Sequence, residues 1–559
     1  MPGPTIRANR GDTIVVHVNN NLANESTSVH FHGVHHRGSN SMDGVPGVTQ
    51  CGIPPGHSFT YKFTVNQSGT FWWHSHSATQ RIDGMAGAMI VNDPQNDHYQ
   101  IGRDYDDEAI VFIQDYYHQT GEQRFEFYLS RSGAGFEPVP ENGLINGRGY
   151  ENLCSRAHFT HKCDPTSDTR PFEFRFVRGR RYRLRVINAG ALAEVSFSLD
   201  NHVLTIIEAD TSESEPADVH FVPIAPGQRY SAIVTAAESG PDVVTMRADM
   251  NTNCFNYHNS VLNPEIRARV ALVDPPSSPA QRLLKTLVKR GDSSPSRPWD
   301  DVLLPDRCID LDPSLLRPVA GGPFSGGQVP AMTRRVALHT KTLKLERVNL
   351  APFGFINRTS FMPAIGAPNL HVQLGLVNPL AETVTVPTVS GRPNTDPWGG
   401  DQLIEHIDLS PDAEHPTVIE LVINNPDESA HPFHLHGHEM YVVRTHSARA
   451  GLGPWKPKYI SEYKTVDVLP RDTITVPRLG HAVVRFVADN PGFWAFHCHI
   501  LWHLRAGMMM QFAVGVQQLE RQLVNQEMME QCRVEREMGE RLVKELPGSA
   551  YKKGMIPAT

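Results

Sequence analysis

The chain of 559 residues is long enough for several domains, because single hydrophobic cores rarely grow beyond about 250–300 residues. A formal net charge of −8 argues against nucleic-acid binding, which needs a basic surface, and no apolar stretch is long enough to span a membrane. The 43 Gly and 43 Pro residues predict many turns between short strands, and the 28 His residues are a compositional sign of metal binding.

Three regions alternate apolar and polar residues between turn-forming segments, which is the pattern of half-buried β-strands. Between the second and third lies a Pro-, Ser- and Gly-rich linker, and the C-terminal region shows a helical amphipathic pattern over residues 516–546. No amphipathic helix of core length is predicted in the second region. The predicted fold class is all-β with a helical tail. The first domain, second domain, linker, third domain and tail are predicted at residues 1–100, 101–275, 276–330, 331–515 and 516–559.

Histidine occurs four times in a His-x-His unit, and each unit lies in a segment predicted to be a strand. Because successive side chains of a strand point to opposite faces, the two His residues of each unit share one face. A single pair is more often structural, but four pairs favour metal ligation, for which imidazole suits Zn, Cu, Fe and Ni. The units are His30 and His32, His74 and His76, His434 and His436, and His497 and His499.

The fourth unit encloses Cys498, whose side chain faces away from its two His neighbours. A thiolate with two imidazoles and a weak thioether is the ligand set of a blue-copper site. His431, His503 and Met508 can complete that set. Two further Met residues follow Met508, so filling a core position is its alternative role. The two faces of this strand are therefore predicted to serve two copper centres joined by one residue.

Together these segments resemble the multicopper oxidases, and among them the fungal, ascomycete-type laccases. The resemblance spans nearly the whole chain and implies three cupredoxin-like Greek-key β-barrels followed by the helical tail. It rests on His-Phe-His-Gly at 30–33, Trp-His-Ser-His at 73–76, His-Pro-Phe-His-Leu-His-Gly at 431–437 and His-Cys-His-Ile-Leu-Trp-His at 497–503.

The resemblance also implies four copper ions as cofactors, one of type 1, one of type 2 and two of type 3. The type 1 ion would be held by His431, Cys498 and His503, with Met508 as axial ligand. The type 2 ion would be held by His30 and His434. The type 3 pair would be held by the six other His residues of the paired units, namely His32, His74, His76, His436, His497 and His499.

By the same resemblance, the chain is expected to be an enzyme that oxidises small phenolic or aromatic donors, including pigment precursors, one electron at a time. His503 and His431 would face the donor at the type 1 ion, and Cys498 would pass electrons to the trinuclear cluster, where O2 is reduced to water. Asp43 matches the family's acidic residue near the type 2 site and is expected to deliver protons. A plain Asp-Gly turn is the alternative role of Asp43.

Two positions bear on the donor side. Glu194 lies near where laccases place a substrate-facing carboxylate, with an ordinary surface Glu as the alternative. Met508 departs from most fungal laccases, which resemble one another in having Leu or Phe there. An axial thioether lowers the type 1 potential relative to no axial ligand, so a low- to mid-potential enzyme is predicted.

Two other functions stay open at this point. A ferroxidase needs carboxylates beside the type 1 histidines, and Asp427, Glu428 and Glu439 are near in sequence. A copper-binding or electron-transfer protein without turnover is the alternative of another class, although the complete trinuclear set argues against it. No nucleic-acid or membrane partner is predicted, and the chain is expected to act as a monomer.

Six Cys residues remain beside Cys498, an even number that allows three disulfides. The resemblance implies the pair Cys51–Cys532, and Cys154–Cys163 and Cys254–Cys308 are the remaining suggested pairs. Glycosylation sequons occur at Asn24, Asn66 and Asn357. Paired Cys and sequons favour an extracellular or cell-wall protein, with an intracellular location as the alternative. No signal peptide is visible, and the N-terminus is expected to be incomplete.

Overall fold

The computed structural model describes residues 2–149, 170–275, 298–299, 308–322, 327–346, 350–362, 364–378, 402–412, 414–447 and 453–545. Across these residues strands dominate and helices are few, which confirms the predicted all-β fold class. The strands form three successive groups along the chain, each containing two sheets that enclose a hydrophobic core.

The first group contributes two of the four His pairs. Its sheets have the strand orders β1-β6-β5-β3 and β2-β4. Alternating side chains of β2 and β4 pack inward on Phe31 and Phe71, as the period-two pattern predicts. Its strands are β1 (Ile6–Asn9), β2 (Thr13–Asn19), β3 (His30–His32), β4 (Ser58–Thr64), β5 (Gly69–His74) and β6 (Ala86–Asn92).

The second group contributes no His pair, and its two sheets of seven and five strands enclose a core of their own. The alternating Phe174 and Phe176 face that core, opposite Tyr182 and Leu184. Its strands are β7 (Asp107–Tyr116), β8 (Asn142–Ile145), β9 (Arg148–Gly149), β10 (Glu173–Val177), β11 (Arg181–Asn188), β12 (Val195–Leu199), β13 (Leu204–Ala209), β14 (Ser212–Val219), β15 (Val222–Ile224), β16 (Arg229–Thr235), β17 (Val243–Met250) and β18 (Arg267–Val273).

The third group holds the other two His pairs on its five-stranded sheet, whose strand order is β21-β29-β28-β23-β26. The facing sheet has the order β20-β19-β22-β27-β24-β25. Its strands are β19 (Arg334–Leu345), β20 (Ala351–Ile356), β21 (Ile404–Ile407), β22 (Val418–Asn425), β23 (His431–Leu435), β24 (Met440–His446), β25 (Pro470–Arg471), β26 (Thr473–Val476), β27 (Gly480–Val487), β28 (Gly492–Cys498) and β29 (Met509–Val514).

One helix of the second region was not predicted. Helix α1 (Gly121–Leu129) begins at a capping box in which Thr120 and Gln123 satisfy each other's backbone N–H groups. It is short and only weakly amphipathic, so its pattern gave little signal. Its buried residues Phe125 and Tyr128 belong to the core of the third group rather than the second, and α1 therefore covers the third sheet pair from outside.

The C-terminal helix is shorter than predicted. After the short helices α2 (Asn369–Gln373) and α3 (Leu501–Arg505), helix α4 runs over Gln526–Glu545 instead of beginning at residue 516. The Asn525 side chain accepts a hydrogen bond from the backbone N–H of Met528 and so caps the helix there. Met528 is buried in the first core, so the tail packs on the N-terminal domain.

Two disulfides lie in the described residues. Cys51–Cys532 ties α4 to the first group, and Cys254–Cys308 closes a shorter loop at the second. The suggested pair Cys154–Cys163 lies outside the described residues. Among the described residues, no helix is both long and apolar enough to cross a membrane.

Candidate metal centres

Strand pairing brings the four His pairs together. On the antiparallel pair β3 and β5, His30 lies opposite His74. On the antiparallel pair β23 and β28, His434 lies opposite His497. The two His pairs of the first group face the two His pairs of the third group. The rings of His32 and His434 are stacked across this contact, with centroids 3.7 Å apart. Four short strands, together with the residues just past the ends of three of them, thus place eight imidazoles on one shared interface.

The eight rings form one continuous, buried cluster. The rings of His30 and His436 stack at 4.0 Å, and those of His32 and His499 meet edge to face at 4.9 Å. Ligand nitrogens converge within 4.8 Å of one another in several sets of three, including His30, His32 and His74, and His76, His436 and His497.

Several imidazole nitrogens are open toward the cluster, and this tests whether a metal fits. Nε2 of His30, His74 and His434 and Nδ1 of His32 are buried without a hydrogen-bond partner among the described residues. The other nitrogen of each ring is held from behind, for example His74 Nδ1 by the Ser75 carbonyl at 2.9 Å. A buried, unpaired polar atom is unfavourable, whereas a metal ion would satisfy such atoms. The donor set therefore fits metal ions.

Asp43 lies behind this cluster and is fully buried. Its Oδ2 is 2.9 Å from His436 Nδ1, and its backbone carbonyl is 2.7 Å from His30 Nδ1. Burial alone would raise the pKa of Asp43, but His30 and the other nearby imidazoles outweigh burial and lower that pKa. Gly44 makes this approach possible, because a Cβ there would lie 1.9 Å from the Val29 carbonyl oxygen. Asp43 is thus an anion that orients two imidazoles.

Asp472 performs the same task on the opposite side and escaped sequence analysis. Its Oδ1 is 3.2 Å from His32 Nε2, and its backbone carbonyl is 3.0 Å from His434 Nδ1. Arg229 holds the same carboxylate with two hydrogen bonds of 2.7 Å. Arg229 lies in Gly-Gln-Arg-Tyr at 227–230, a segment whose sequence suggests no contact with the residue before β26. Because the Nε2 of His32 is occupied, its Nδ1 is the atom left to bind a metal.

A second, mononuclear set lies on the other face of β28. The Cys498 sulfur is 3.6 Å from His431 Nδ1 and 3.5 Å from His503 Nδ1, and these two nitrogens are 3.1 Å apart. All three residues are buried. Burial would raise the pKa of the Cys498 thiol, but hydrogen bonding to both imidazoles outweighs it and lowers that pKa to about 6. Met508 is also buried, and its carbonyl accepts a hydrogen bond from the Cys498 N–H.

Each imidazole of the mononuclear set is held from outside by a carboxylate. Glu137 Oε1 accepts from His503 Nε2 at 2.9 Å, and Asp427 Oδ2 accepts from His431 Nε2 at 3.1 Å. Glu137 was missed because it lies far away in sequence, in the loop after α1. Of the other carboxylates near the motif, Glu439 accepts from Thr211 at 3.0 Å in a crevice with His35, and Glu428 is exposed.

A buried guanidinium contacts the eight-ring cluster. Arg81 donates to His499 Nδ1 at 3.0 Å and to the His499 carbonyl at 2.9 Å. It is only 1% exposed, and burial lowers its pKa to about 10. Arg81 therefore fixes both the ring and the backbone of the residue that follows Cys498.

Glu194 does not lie at the protein surface. It is 4% exposed, its Oε1 accepts from Asn251 Nδ2 at 3.0 Å, and Cys254 lies 3.8 Å away. The surface alternative is therefore wrong, because the loop between β11 and β12 folds inward onto Asn251. Burial raises the pKa of Glu194 to about 8, so the side chain is largely a neutral acid.

The remaining His residues near the motifs pack against aromatic rings or a carboxylate. His36 meets the Phe63 ring at 4.6 Å, and His438 meets the Phe486 ring at 5.3 Å. His35 lies 4.0 Å from Glu439 in a crevice lined by residues of all three domains.

Known proteins share this architecture. Three family models described as multicopper oxidase match residues 1–96, 107–263 and 382–518. The iron transport multicopper oxidase fetC of Epichloe festucae is 31% identical over 527 residues, which cover 93% of this chain and 73% of that protein. Laccase-1 of Cryptococcus neoformans is 33% identical over 531 residues, covering 91% of this chain and 74% of that protein.

The solved laccase of Botrytis aclada superimposes with a TM-score of 0.75 at 28% identity, covering 98% of this chain and 87% of that one. The family matches include both His clusters and Cys498, which are the residues that converge in the structure. The chain therefore belongs to the multicopper oxidase family of oxidoreductases.

Proposed function

We propose that this chain is a laccase-like oxidase with four copper ions. His431, Cys498 and His503, with Met508 as axial ligand, would hold the type 1 ion. His30 and His434 would hold the type 2 ion, and the other six paired His residues the type 3 ions. When bound, the copper supplies one-electron oxidation of the donor and four-electron reduction of O2, with four protons, to two waters.

The route between the two centres supports this proposal. Cys498 faces the mononuclear set, while its covalent neighbours His497 and His499 are part of the eight-ring cluster. His497 Nδ1 is also 3.0 Å from the Cys498 carbonyl, which adds a second connection. Arg81 fixes the His499 end of the same segment. Electrons therefore need to pass only through one short, rigid piece of backbone.

Asp43 and Asp472 hold four of the imidazoles in place by accepting hydrogen bonds from the nitrogens that do not face the cluster. These bonds fix each ring's tautomer and keep the opposite nitrogen free for the metal. Asp43, as a buried anion beside two rings, is also the group we assign to accept and release protons during O2 reduction.

The surroundings of His503 favour an aromatic donor, and this observation carries the donor assignment. Glu137 accepts from the outer nitrogen of His503. Its chain neighbour Phe136 packs against Tyr257, with the two rings 5.7 Å apart. Tyr257 also accepts from the Val139 N–H. A phenol becomes strongly acidic when it loses an electron, so a carboxylate at this point can take the released proton.

Oxidation of Fe2+ is the second candidate. Two carboxylates, Glu137 and Asp427, favour it. Carboxylate oxygens bind hard metal cations well, and each of these touches a nitrogen of a type 1 ligand. The relatives include proteins named for iron transport as well as laccases.

Oxygen uptake with hydroquinone and with Fe2+, at matched concentrations and in the same buffer, separates the two candidates. We expect oxygen uptake with hydroquinone to exceed the uptake of the blank clearly. We expect kcat/KM for hydroquinone to fall in Glu137→Gln and to stay unchanged in the matched control, the exposed Glu428→Gln. Uptake with Fe2+ alone, and none with hydroquinone, would replace the phenol assignment by the iron one.

The proposal places the protein outside the cell or in the cell wall, acting as a monomer on small phenols that include pigment precursors. The two disulfides support an oxidising compartment. Asn24 and Asn66 are exposed and open to glycosylation, whereas the Asn357 amide already donates to the Ala337 carbonyl at 3.0 Å.

A further inference from the structure

A basic groove lies on the outer face of the hairpin formed by β19 and β20. It encloses about 680 Å³. Three of the side chains that line it are apolar, namely Leu343, Leu345 and Phe355, and three are basic, namely His339, Lys341 and Arg358. Among the residues that line it, no carboxylate is present. The groove therefore combines an apolar surface with positive charge, which suits an aromatic anion.

The groove is connected to the type 1 site by two polar contacts. The Lys341 ammonium is 2.7 Å from Asp427 Oδ1, and Asp427 Oδ2 accepts from His431 Nε2 at 3.1 Å. This path reaches the ligand His431, whereas Glu137 approaches through His503. The mononuclear site thus has two polar approaches from outside, and the one through Asp427 ends at a basic groove.

Arg358 is displayed over the groove by an unusual turn. Asn357 and Arg358 both have positive φ, at +47° and +70°, and form the two central residues of a turn closed by Ile356 and Thr359. Asn-Gly is the favoured pair in such turns, because a residue with a Cβ is strained at positive φ. The Asn357 side chain accepts from the His339 N–H at 2.9 Å and locks the turn against β19.

We propose that this groove binds aromatic donors that carry a carboxylate, such as hydroxycinnamates, and passes their electrons through Lys341 and Asp427 to His431. The inference rests on the proposed function and adds, beside the donor approach at His503 and Glu137, a second approach for aromatic donors that carry a negative charge. The donor carboxylate pairs with Arg358, and its ring lies on Phe355 and Leu343. Each phenol loses one electron to the type 1 site and one proton to solvent at the open groove, and four such events supply the electrons for one O2.

The decisive variant is Arg358→Gly, because glycine relieves the strained φ while it removes the charge. The ratio of kcat/KM for 3,4-dihydroxycinnamate to kcat/KM for its neutral methyl ester is expected to fall about two- to fivefold, the size typical of one partly exposed ion pair. The melting temperature is expected to stay the same or rise, which a purely structural role of Arg358 would not produce. The control is Arg175→Gln, an exposed Arg in the second domain.

Binding of 3,4-dimethoxycinnamate, which cannot be oxidised as a phenol, tests the groove separately from turnover. Calorimetry on the copper-loaded protein is expected to show weaker binding in Arg358→Gly and unchanged binding in Arg175→Gln. Equal binding and an equal substrate ratio in wild type and Arg358→Gly would overturn the groove assignment. Absence of phenol oxidation in every variant would instead overturn the proposed function, and charge-dependent binding would still support the groove.

Discussion

At the scale of single residues, Cys498 lies between the two proposed metal sites, because its side chain faces the mononuclear set and its neighbours His497 and His499 belong to the eight-ring cluster. Its thiol is the only unpaired Cys sulfur among the described residues, and it is fully buried. A serine hydroxyl has nearly the same size but cannot supply a soft thiolate.

Cys498→Ser is therefore expected to abolish the intense blue absorption band and the turnover of any donor. Copper at the eight-ring cluster should remain, because none of its imidazoles is changed. Absorption, a copper count and oxygen uptake measure these outcomes. A blue variant with normal turnover would show that another sulfur is the ligand.

Asp472 touches two imidazoles of the eight-ring cluster and one guanidinium, so its substitution is expected to affect metal binding at that cluster and not at the mononuclear set. Asp472→Asn is expected to lower copper affinity or activity by about 10–100-fold, the usual effect of losing such a supporting group. The blue band should be preserved. Asp412→Asn, at an exposed loop, is the matched control and should change neither quantity. Loss of the blue band in Asp472→Asn would contradict this division of roles.

Glu194 gives a pH prediction. Its folded-state pKa is raised from 4.5 to about 8 by burial. The folded state thus holds the proton more tightly than the unfolded state, and protonated Glu194 favours folding. This contribution to the free energy of unfolding is complete below pH 4.5 and is lost as the pH rises through 8. Glu194→Gln keeps the acceptor for Asn251 and cannot ionise. Its melting temperature is expected to fall less than that of the wild type between about pH 5 and pH 9, and an equal fall would contradict burial as the cause.

At the scale of elements, helix α4 is fastened to the first domain by a disulfide and by Met528. Its Glu535 carboxylate accepts from the Gly52 N–H of the first domain and from the Gly366 N–H of the third. Gln531 adds a hydrogen bond to the Ser58 carbonyl, and Met529 packs on a small apolar cluster of the third domain, so the disulfide is one of several contacts that dock the helix.

Cys532→Ser is expected to lower the free energy of unfolding by about 2–5 kcal/mol, the range seen when a native disulfide is removed. Chemical denaturation under oxidising conditions measures the loss. Glu530→Gln, an exposed position of the same helix, is the control and should change stability little. An unchanged unfolding midpoint in Cys532→Ser would mean that packing alone holds the tail.

Sequence patterns predicted the strands that carry the candidate metal ligands better than the elements that support them. A His-x-His unit in an alternating segment predicts both a strand and the face that its two His residues share, so β3, β5, β23 and β28 were predicted from sequence. Helix α1 has too weak a pattern to be recognised. Asp472, Arg229 and Glu137 could not be placed, because their roles depend on which strands of distant domains lie side by side.

At the scale of the whole molecule, the eight-ring cluster joins the first and third domains, and Arg229 of the second supports it from behind. Several nitrogens of these buried imidazoles have no hydrogen-bond partner among the described residues, and bound metal ions would satisfy them. Metal binding should therefore stabilise the arrangement of all three domains.

Protein stripped of copper by chelation is expected to melt at a lower temperature than the loaded form. Added copper should restore the melting temperature together with the blue band. Added zinc is expected not to restore the blue band, because that band needs copper bound to a thiolate. Identical melting curves with and without copper would contradict a structural role for the cluster.

The His32–Asp472 contact joins residues 440 positions apart, and Cys51–Cys532 joins residues 481 positions apart. During synthesis the first domain is therefore finished long before its counterparts leave the ribosome. Until then, Cys51 is an unpaired thiol, and the four imidazoles of the first domain are only half of the eight-ring cluster. Correct folding therefore requires that the first domain forms no non-native disulfide and binds no other metal before the C-terminal strands and helix α4 are synthesised.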